Sequence, residues 1–186
     1  EDFKKEVDVQ LRRMNDIVSY QLSRASRTGH TLYSAPIDIL PHAEVIVTSL
    51  EKIYSDKGVY CEFEIDEISQ FSGELGDLQE LLGNFLENAF KWAKNRVLLT
   101  IHPVFEHGAK RPGLFISIED DGVGIAPEDI SKILQRGVRG DERVQGHGIG
   151  LAIVQDIIKS YNGELSVDRS VELGGARFTI SLPCLT

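Results

Sequence analysis

Three clusters of residues in this chain have the types and the spacing to hold a phosphorylated ligand. The first is the run from Asp120 through Asp121, Gly122, Val123 and Gly124 to Ile125. Gly122 and Gly124 let the backbone turn sharply and approach a planar group closely, since glycine has no Cβ. Asp120 is an acceptor that can take the amino hydrogen of a purine. The second cluster is GHGIGLAIV, beginning at Gly146. Gly146, His147, Gly148, Ile149, Gly150 and Leu151 lead into a helix whose first N–H groups and dipole favour an anion such as phosphate. The third is LLGNFLENAFKWAK, residues 81–94. Asn84, Asn88 and Lys91 are four and three residues apart there, so they share one helix face. Two amide oxygens and an ammonium group suit Mg²⁺ and the phosphates it bridges, because magnesium takes hard oxygen ligands and keeps several waters.

Each cluster also has a plainer reading. GHGIG is equally a tight helix start; Asn84 and Asn88 could also form a polar outer face, but Asn inside a helix costs propensity, which weighs against that reading. A dinucleotide fingerprint is excluded. There the glycine motif follows a strand and opens the helix directly, whereas here about 25 residues separate the strand-end turn at Asp120 from the helix at Gly146.

The whole chain bounds these readings. Its 186 residues suit one domain with an appendage, and a 41% apolar fraction suffices for a core. A net charge of −9 argues against nucleic acid or an anionic membrane as partner, so phosphate binding must come from local geometry and a few placed cations. Cys61 and Cys184 match no metal spacing and read as buried structural thiols. No apolar run approaches the roughly 18 residues that span a bilayer, and no signal peptide is evident. The chain opens inside a helical pattern, which reads as a piece of a longer protein.

The elements that must position the clusters follow from periodicity. Phe3, Val7, Leu11, Met14, Val18, Leu22 and Ala25 form one apolar stripe on a helix over residues 1–28. That stripe packs either on its own domain or, being terminal, in a helical hairpin or dimer seam. Next come a strand over 37–40, then a helix with Pro41 in its first turn that ends near Asp56, before Gly58. Val59, Cys61, Phe63 and Ile65 alternate with Tyr60, Glu62 and Glu64, the pattern of a half-buried strand. A short strand at 70–72 leads to a long helix over 77–94, with Leu78, Leu81, Leu82, Phe85 and Ala89 as its buried stripe. Strands 96–104 and 114–119 precede a charged, lid-like loop. A helix over 149–161 stops at Asn162-Gly163, and strands 164–168 and 176–182 close the chain. The expected fold is α+β: an α/β sandwich of a mixed sheet with helices layered on one face, preceded by the N-terminal helix.

Taken together, Asn84–Lys91, Asp120–Gly124 and Gly146–Leu151 resemble the N box and the two glycine boxes of the sensor histidine kinases, within the larger family of gyrase, Hsp90 and MutL. The resemblance covers about residues 35–184. It implies the Bergerat-type sandwich, with ATP and Mg²⁺ under a flexible lid. It implies Asp120 at the adenine, Asn84 and Asn88 at the metal and phosphates, and Lys91 at phosphate. Gly122, Gly124, Ile125, Gly146, Gly148, Ile149, Gly150 and Leu151 would line the nucleotide, and Gly174-Gly175-Ala176 would lie behind the base. YQLSRASRTGHTLYS (20–34), EDDGVGI, RGVRGDER (136–143), GHGIGLA and GGAR carry a closer likeness to one branch of these kinases. His147 stands where the best-known members of that branch are expected to have a Gln, and the Phe usual at the start of the lid is absent from SKILQRG.

The chemistry then turns on position 84. ATP-hydrolysing relatives carry a Glu there as the base that activates water, and this chain has Asn84, an amide without usable basicity. Slow hydrolysis and transfer to a better nucleophile are expected. Lid residues Arg136, Gly137, Arg139 and Arg143 either line the phosphates or form a solvated loop. The expected nucleophile is a histidine on the first helix of a two-helix dimerisation hairpin, before an acidic residue and a Pro. None of His30, His42, His102, His107 and His147 has that setting. Residues 1–34 resemble the second hairpin helix and a linker, and 35–186 the ATP-binding domain. The implied partners are the hairpin of its own parent dimer and a response regulator. The implied location is the cytoplasmic side of a bacterial inner membrane. Alternatives are a nucleotide-binding module without transfer, or an ATPase.

Overall fold

In the computed structural model the described residues are 35–135 and 148–185, so the expected N-terminal helix lies outside them. Alternating apolar residues build a five-stranded sheet. Its strands are β2 (Tyr60–Ile65), β4 (Arg96–Val104), β5 (Gly113–Asp120), β6 (Glu164–Arg169) and β7 (Ala176–Leu182). Their spatial order is β2-β4-β5-β7-β6. β2 runs parallel to β4 and the other pairs are antiparallel, so the sheet is mixed as expected. A separate two-stranded ladder joins β1 (Ile37–Asp38) to β3 (Gln70–Phe71). One face of the sheet presents Leu99, Ile101, Ile116, Ile118 and Ile180, all essentially without solvent contact.

Helices cover that face. α1 (Ile39–Ile53) buries Ile39, Ala43, Val47 and Leu50, spaced four, four and three apart. α2 (Leu75–Trp92) buries Leu78, Leu81, Leu82, Phe85, Leu86, Ala89 and Phe90. Phe85 meets Phe178 of β7 with ring centroids 5.4 Å apart, joining the helix layer to the sheet. α3 (Pro127–Gln135) and α4 (Gly148–Ser160) follow, and α4 buries Val154, Ile157 and Ile158. Among the described residues no helix is long and apolar enough to cross a membrane.

Several boundaries differ from the sequence expectation, each for a physical reason. The strand expected over 37–40 stops at Asp38, because Ile39 is already the first, fully buried residue of α1. That helix ends at Ile53, and a 3₁₀ turn over Ser55–Lys57 carries the chain to Gly58, whose φ of 64° is left-handed. The long helix begins at Leu75 and ends at Trp92 rather than Lys94. The Asp121 carboxylate takes the N–H groups of Lys94 (2.7 Å) and Asn95 (3.1 Å), holding them out of the helix. α3 falls in the stretch where the sequence suggests a lid-like loop, although Pro127 at its first position and Glu128 and Asp129 in its first turn are helix-start signals. α4 ends as expected. Asn162 has φ 55°, and the Gly163 N–H reaches Ile158 O at 2.8 Å while that of Asn162 reaches Lys159 O at 3.0 Å, a Schellman closure. Phe63 is 37% exposed on edge strand β2, so the alternation weakens there. Both cysteines are half-buried rather than fully buried. Burial, with Glu51 and Glu62 nearby, pushes the Cys61 thiol up to about 12.

Candidate functional site

β5 delivers Asp120 to the end of the sheet beneath α2, where it is 3% exposed. Its Oδ1 accepts the N–H groups of Gly122 at 2.8 Å and Ala176 at 3.3 Å. Oδ2 accepts no hydrogen bond among the described residues. Burial pushes the Asp120 carboxyl up, against the opposing pull of the Gly122 and Ala176 amides and the Lys57 charge, while Asp121 adds to the rise. The result is a buried carboxylate with one oxygen anchored by its own fold and the other open to a donor.

Close backbone approaches shape the space around it. A Cβ on Gly175 would strike Asp120 O and Oδ1, and would lie 2.6 Å from Gly122 N. One on Gly122 would strike Trp92 O and lie 2.8 Å from Asp120 Oδ1. Only glycine allows these three segments to converge. Gly175 donates to Asp120 O at 3.0 Å, so the β6–β7 connection packs directly behind the carboxylate. Gly124, with φ 76°, and the part-exposed Ile125 lead out of the turn.

The asparagine cluster lies on α2. Asn84 and Asn88 are half-buried and Lys91 is exposed. The Asn84 amide group donates to Glu80 O at 2.9 Å and Glu80 Oε1 at 3.0 Å, which fixes the side chain and leaves Oδ1 as its free acceptor. That oxygen points at the first turn of α4, where a Cβ on Gly150 would collide with it. The Asn88 side chain makes no hydrogen bond among the described residues. The Lys91 ammonium stands 5.4 Å above the ring of Trp92. Among the described residues no group of three or more His, Cys, Asp or Glu could hold a metal. A cation at Asn84 would therefore rest on amide oxygens, water and the oxygens of a phosphate, a donor set that suits Mg²⁺.

The structure thus brings Asp120, Gly122, Gly124, Gly175 and Ala176 together, and separately joins Asn84 to Gly150. Gly148 and Ile149 start α4, while Leu151, 8% exposed, belongs to the core. Arg136, Gly137, Arg139, Arg143, Gly146 and His147 lie outside the described residues.

Four residues around the site were not singled out by sequence reasoning. Trp92 is 47% exposed at the end of α2, with its carbonyl against Gly122. It is the only tryptophan in the chain and follows Lys91, a signal that was available. Lys57 donates to the last carbonyls of α2, Phe90 O at 2.9 Å and Lys91 O at 2.8 Å, a cation at a helix C-terminus. Glu80 orients Asn84, and its position one turn earlier on the same face was legible. Asp121 fixes the exit of α2. Although burial opposes it, the amides of Asn95, Arg96 and Lys94 hold the Asp121 carboxyl below the usual range.

With this geometry in place, comparisons identify what the chain is similar to. Residues 73–186 match the family described as "Histidine kinase-, DNA gyrase B-, and HSP90-like ATPase". The two-component sensor PhoQ of Pseudomonas aeruginosa is 41% identical over 173 residues, covering 92% of this chain and 37% of that protein. The sensor protein PhoQ of Escherichia coli K12 is 35% identical over 172 residues, covering 92% of this chain and 34% of its own length. The chain therefore spans little more than a third of these relatives. Among solved structures, full-length ShkA in complex with AMPPNP superposes with a TM-score of 0.73 at 27% identity, over 96% of this chain and 36% of that one. The mycobacterial sensor histidine kinase MprB gives a TM-score of 0.64 at 25% identity, over 81% of this chain and 97% of that one.

Proposed function

This chain belongs to the family of histidine kinase-, DNA gyrase B- and HSP90-like ATPases, and from that premise we propose that it is the ATP-binding kinase domain of a PhoQ-like two-component sensor. Its reaction would move the γ-phosphoryl group of ATP to a histidine supplied outside this chain, for relay to an aspartate of a PhoP-like response regulator. The observation that carries this reading is the open oxygen of Asp120. It is a buried acceptor with its partner oxygen already anchored and glycine backbone packed against it, while Asn84 separately meets the first turn of α4.

The residues divide the work. Asp120 Oδ2 accepts from the exocyclic amine of adenine, and the exposed ring of Trp92 offers a stacking face. Asn84 and Asn88 would hold Mg²⁺, which would supply charge neutralisation at the phosphates. The first turn of α4 presents N–H groups to the phosphates. Lys91 lies on the same helix face and can swing from Trp92 to phosphate, and the lid arginines Arg136, Arg139 and Arg143 add charge. The bond between the γ-phosphorus and its bridging oxygen breaks, a bond from phosphorus to a histidine ring nitrogen forms, and ADP leaves. Position 84 disfavours water as the acceptor. Its amide is not a base, and the nearby Glu80 carboxylate is engaged by that amide.

Residues 1–34 would be the second helix of the dimerisation hairpin with its linker, and the parent a homodimer in a bacterial inner membrane with this domain in the cytoplasm. The test is transfer in trans: this chain, Mg²⁺, γ-labelled ATP and a separate hairpin bearing the acceptor histidine. Acid-labile, alkali-stable label on the hairpin is expected. Tight ATP binding with no label would favour a nucleotide-binding module without transfer, and rapid release of free phosphate would favour an ATPase.

A further inference from the structure

The sheet face opposite the helices carries charged residues beside Leu98 and Phe115, and these charges pair across strands. Arg96 forks onto Glu62 at 3.0 and 3.1 Å, and Arg177 onto Asp168 at 2.7 and 2.8 Å. Glu119 departs from this pattern. It lies directly opposite Arg177 in the β5–β7 register, yet the guanidinium fork goes to Asp168. Glu119 is only 9% exposed and accepts instead from two hydroxyls, Ser117 Oγ at 3.3 Å and Ser170 Oγ at 2.6 Å.

Ser170, 2% exposed, begins the connection between β6 and β7 and uses every polar atom it has. Its Oγ also accepts the Leu173 N–H at 2.8 Å, its N–H donates to Gly175 O at 2.9 Å, and its carbonyl accepts the Gly174 N–H at 3.1 Å. The far end of this loop is the segment behind Asp120. Gly175 donates to Asp120 O, and Ala176 to Asp120 Oδ1. Successive strand residues point to opposite faces, so Glu119 and Asp120 grip one loop from the two sides of the sheet. The 2.6 Å bond from Ser170 to Glu119 is short, buried and assisted by charge, the kind that is costly to leave unmade.

We propose that Glu119 and Ser170 are a positioning pair for the base end of the nucleotide site, and that they set its preference for adenine through the loop that anchors Asp120. This rests on the reading of Asp120 given above. When the loop shifts, the Ala176 amide leaves Oδ1 and the carboxylate turns, so Oδ2 no longer meets the exocyclic amine. A base without that amine does not use Oδ2 and does not register the change.

The experiment measures dissociation constants for ATP and ITP by competition with a fluorescent ATP analogue, alongside melting temperature. The variants are Ser170→Ala, Glu119→Ala, Glu119→Gln and the double Ala variant. The unmutated chain is expected to prefer ATP. Each single Ala change should lower the ATP-over-ITP ratio about tenfold, the scale of one buried hydrogen bond. The double variant should lose no more than either single one, because both remove the same bond. Glu119→Gln keeps an acceptor for the Ser170 hydroxyl and should stay within about threefold of the unmutated ratio. If Ser170→Ala does not fold, Glu119→Ala reads the same bond from its other end. Equal weakening of ATP and ITP, in step with a fall in melting temperature, would show a purely structural role and overturn the proposal. An unchanged ratio would overturn it as well. An unmutated chain with no preference for ATP would overturn the Asp120 reading first and the pair with it, an outcome visible before any variant is made.

Discussion

The two oxygens of Asp120 have separate jobs, and that division can be tested. Oδ1 serves the fold by accepting from Gly122 and Ala176, and Oδ2, which accepts no hydrogen bond among the described residues, is the oxygen proposed to meet a ligand. In Asp120→Asn, Oδ1 can keep its two donors while the amide group places N–H against the adenine amine. ATP affinity should fall more than about tenfold, read by calorimetry, since a mispaired buried donor costs more than about 1.4 kcal/mol. Stability at neutral pH should hold or rise. Burial raises the folded-state pKa of Asp120, so its contribution is full below the unfolded value near ~4 and is lost as pH rises through the folded value. The ionised group therefore costs stability at pH 7, and the amide removes that cost. Its neighbour has the opposite sign. Although burial opposes it, Asp121 is held low by backbone amides, so its contribution is present above the unfolded value and lost as pH falls through the folded one. Asp121→Ala should destabilise the chain by about 1.5 kcal/mol at pH 7. In denaturant titrations that gap from the unmutated chain should close below about pH 4.

At the scale of elements, the proposed site depends on how closely α4 approaches α2. Gly150 and Asn84 touch, and a methyl group at position 150 would have to push Asn84 Oδ1 aside. Gly150→Ala should therefore weaken Mg²⁺-dependent ATP binding. The same change should leave the melting temperature equal or higher, because Ala in a helix is better than Gly by up to about 1 kcal/mol. A parallel loss of both quantities would mean that Asn84 cannot move and that the contact is one of packing. Phe85 precedes nothing of the site in space but follows Asn84 in sequence, and its burial against Phe178 fixes the rotation of α2. Phe85→Ala should cost about 3–5 kcal/mol, measured by urea unfolding.

Across the whole molecule, the ligand would join segments that the fold leaves far apart in sequence: the β5 end, α2, the start of α4 and the β6–β7 loop. ATP with Mg²⁺ at about 100 times the dissociation constant should stabilise the chain by roughly 2.7 kcal/mol. A chelator should remove much of that shift, and Asp120→Asn should remove about half of it or more. A rise in melting temperature with ATP that a chelator does not alter would place the metal elsewhere or nowhere.

The sequence alone determined the element types where a period was long and regular: the α2 stripe from Leu78 to Ala89, the strands at 96–104 and 176–182, and the helix stop at Asn162-Gly163. It also pointed to the family, because Asn84, Asn88, Asp120 and the glycines carry its motifs in residue type and local spacing. It failed at short or charged segments. Pro127–Gln135 was hidden in a polar stretch, and β1 was cut short by Ile39, whose burial and helical start outweighed a strand pattern. Only the tertiary structure decided the strand order, the pairing of Asn84 with Gly150, and the contact of Gly175 and Ala176 with Asp120, a carboxylate 56 residues before Ala176. Periodicity reports what one segment does with its own neighbours. A hydrogen bond closed across the sheet has no spacing to read, and so the loop from Ser170 to Gly175 and its hold on both faces of β5 emerge only when the strands are side by side.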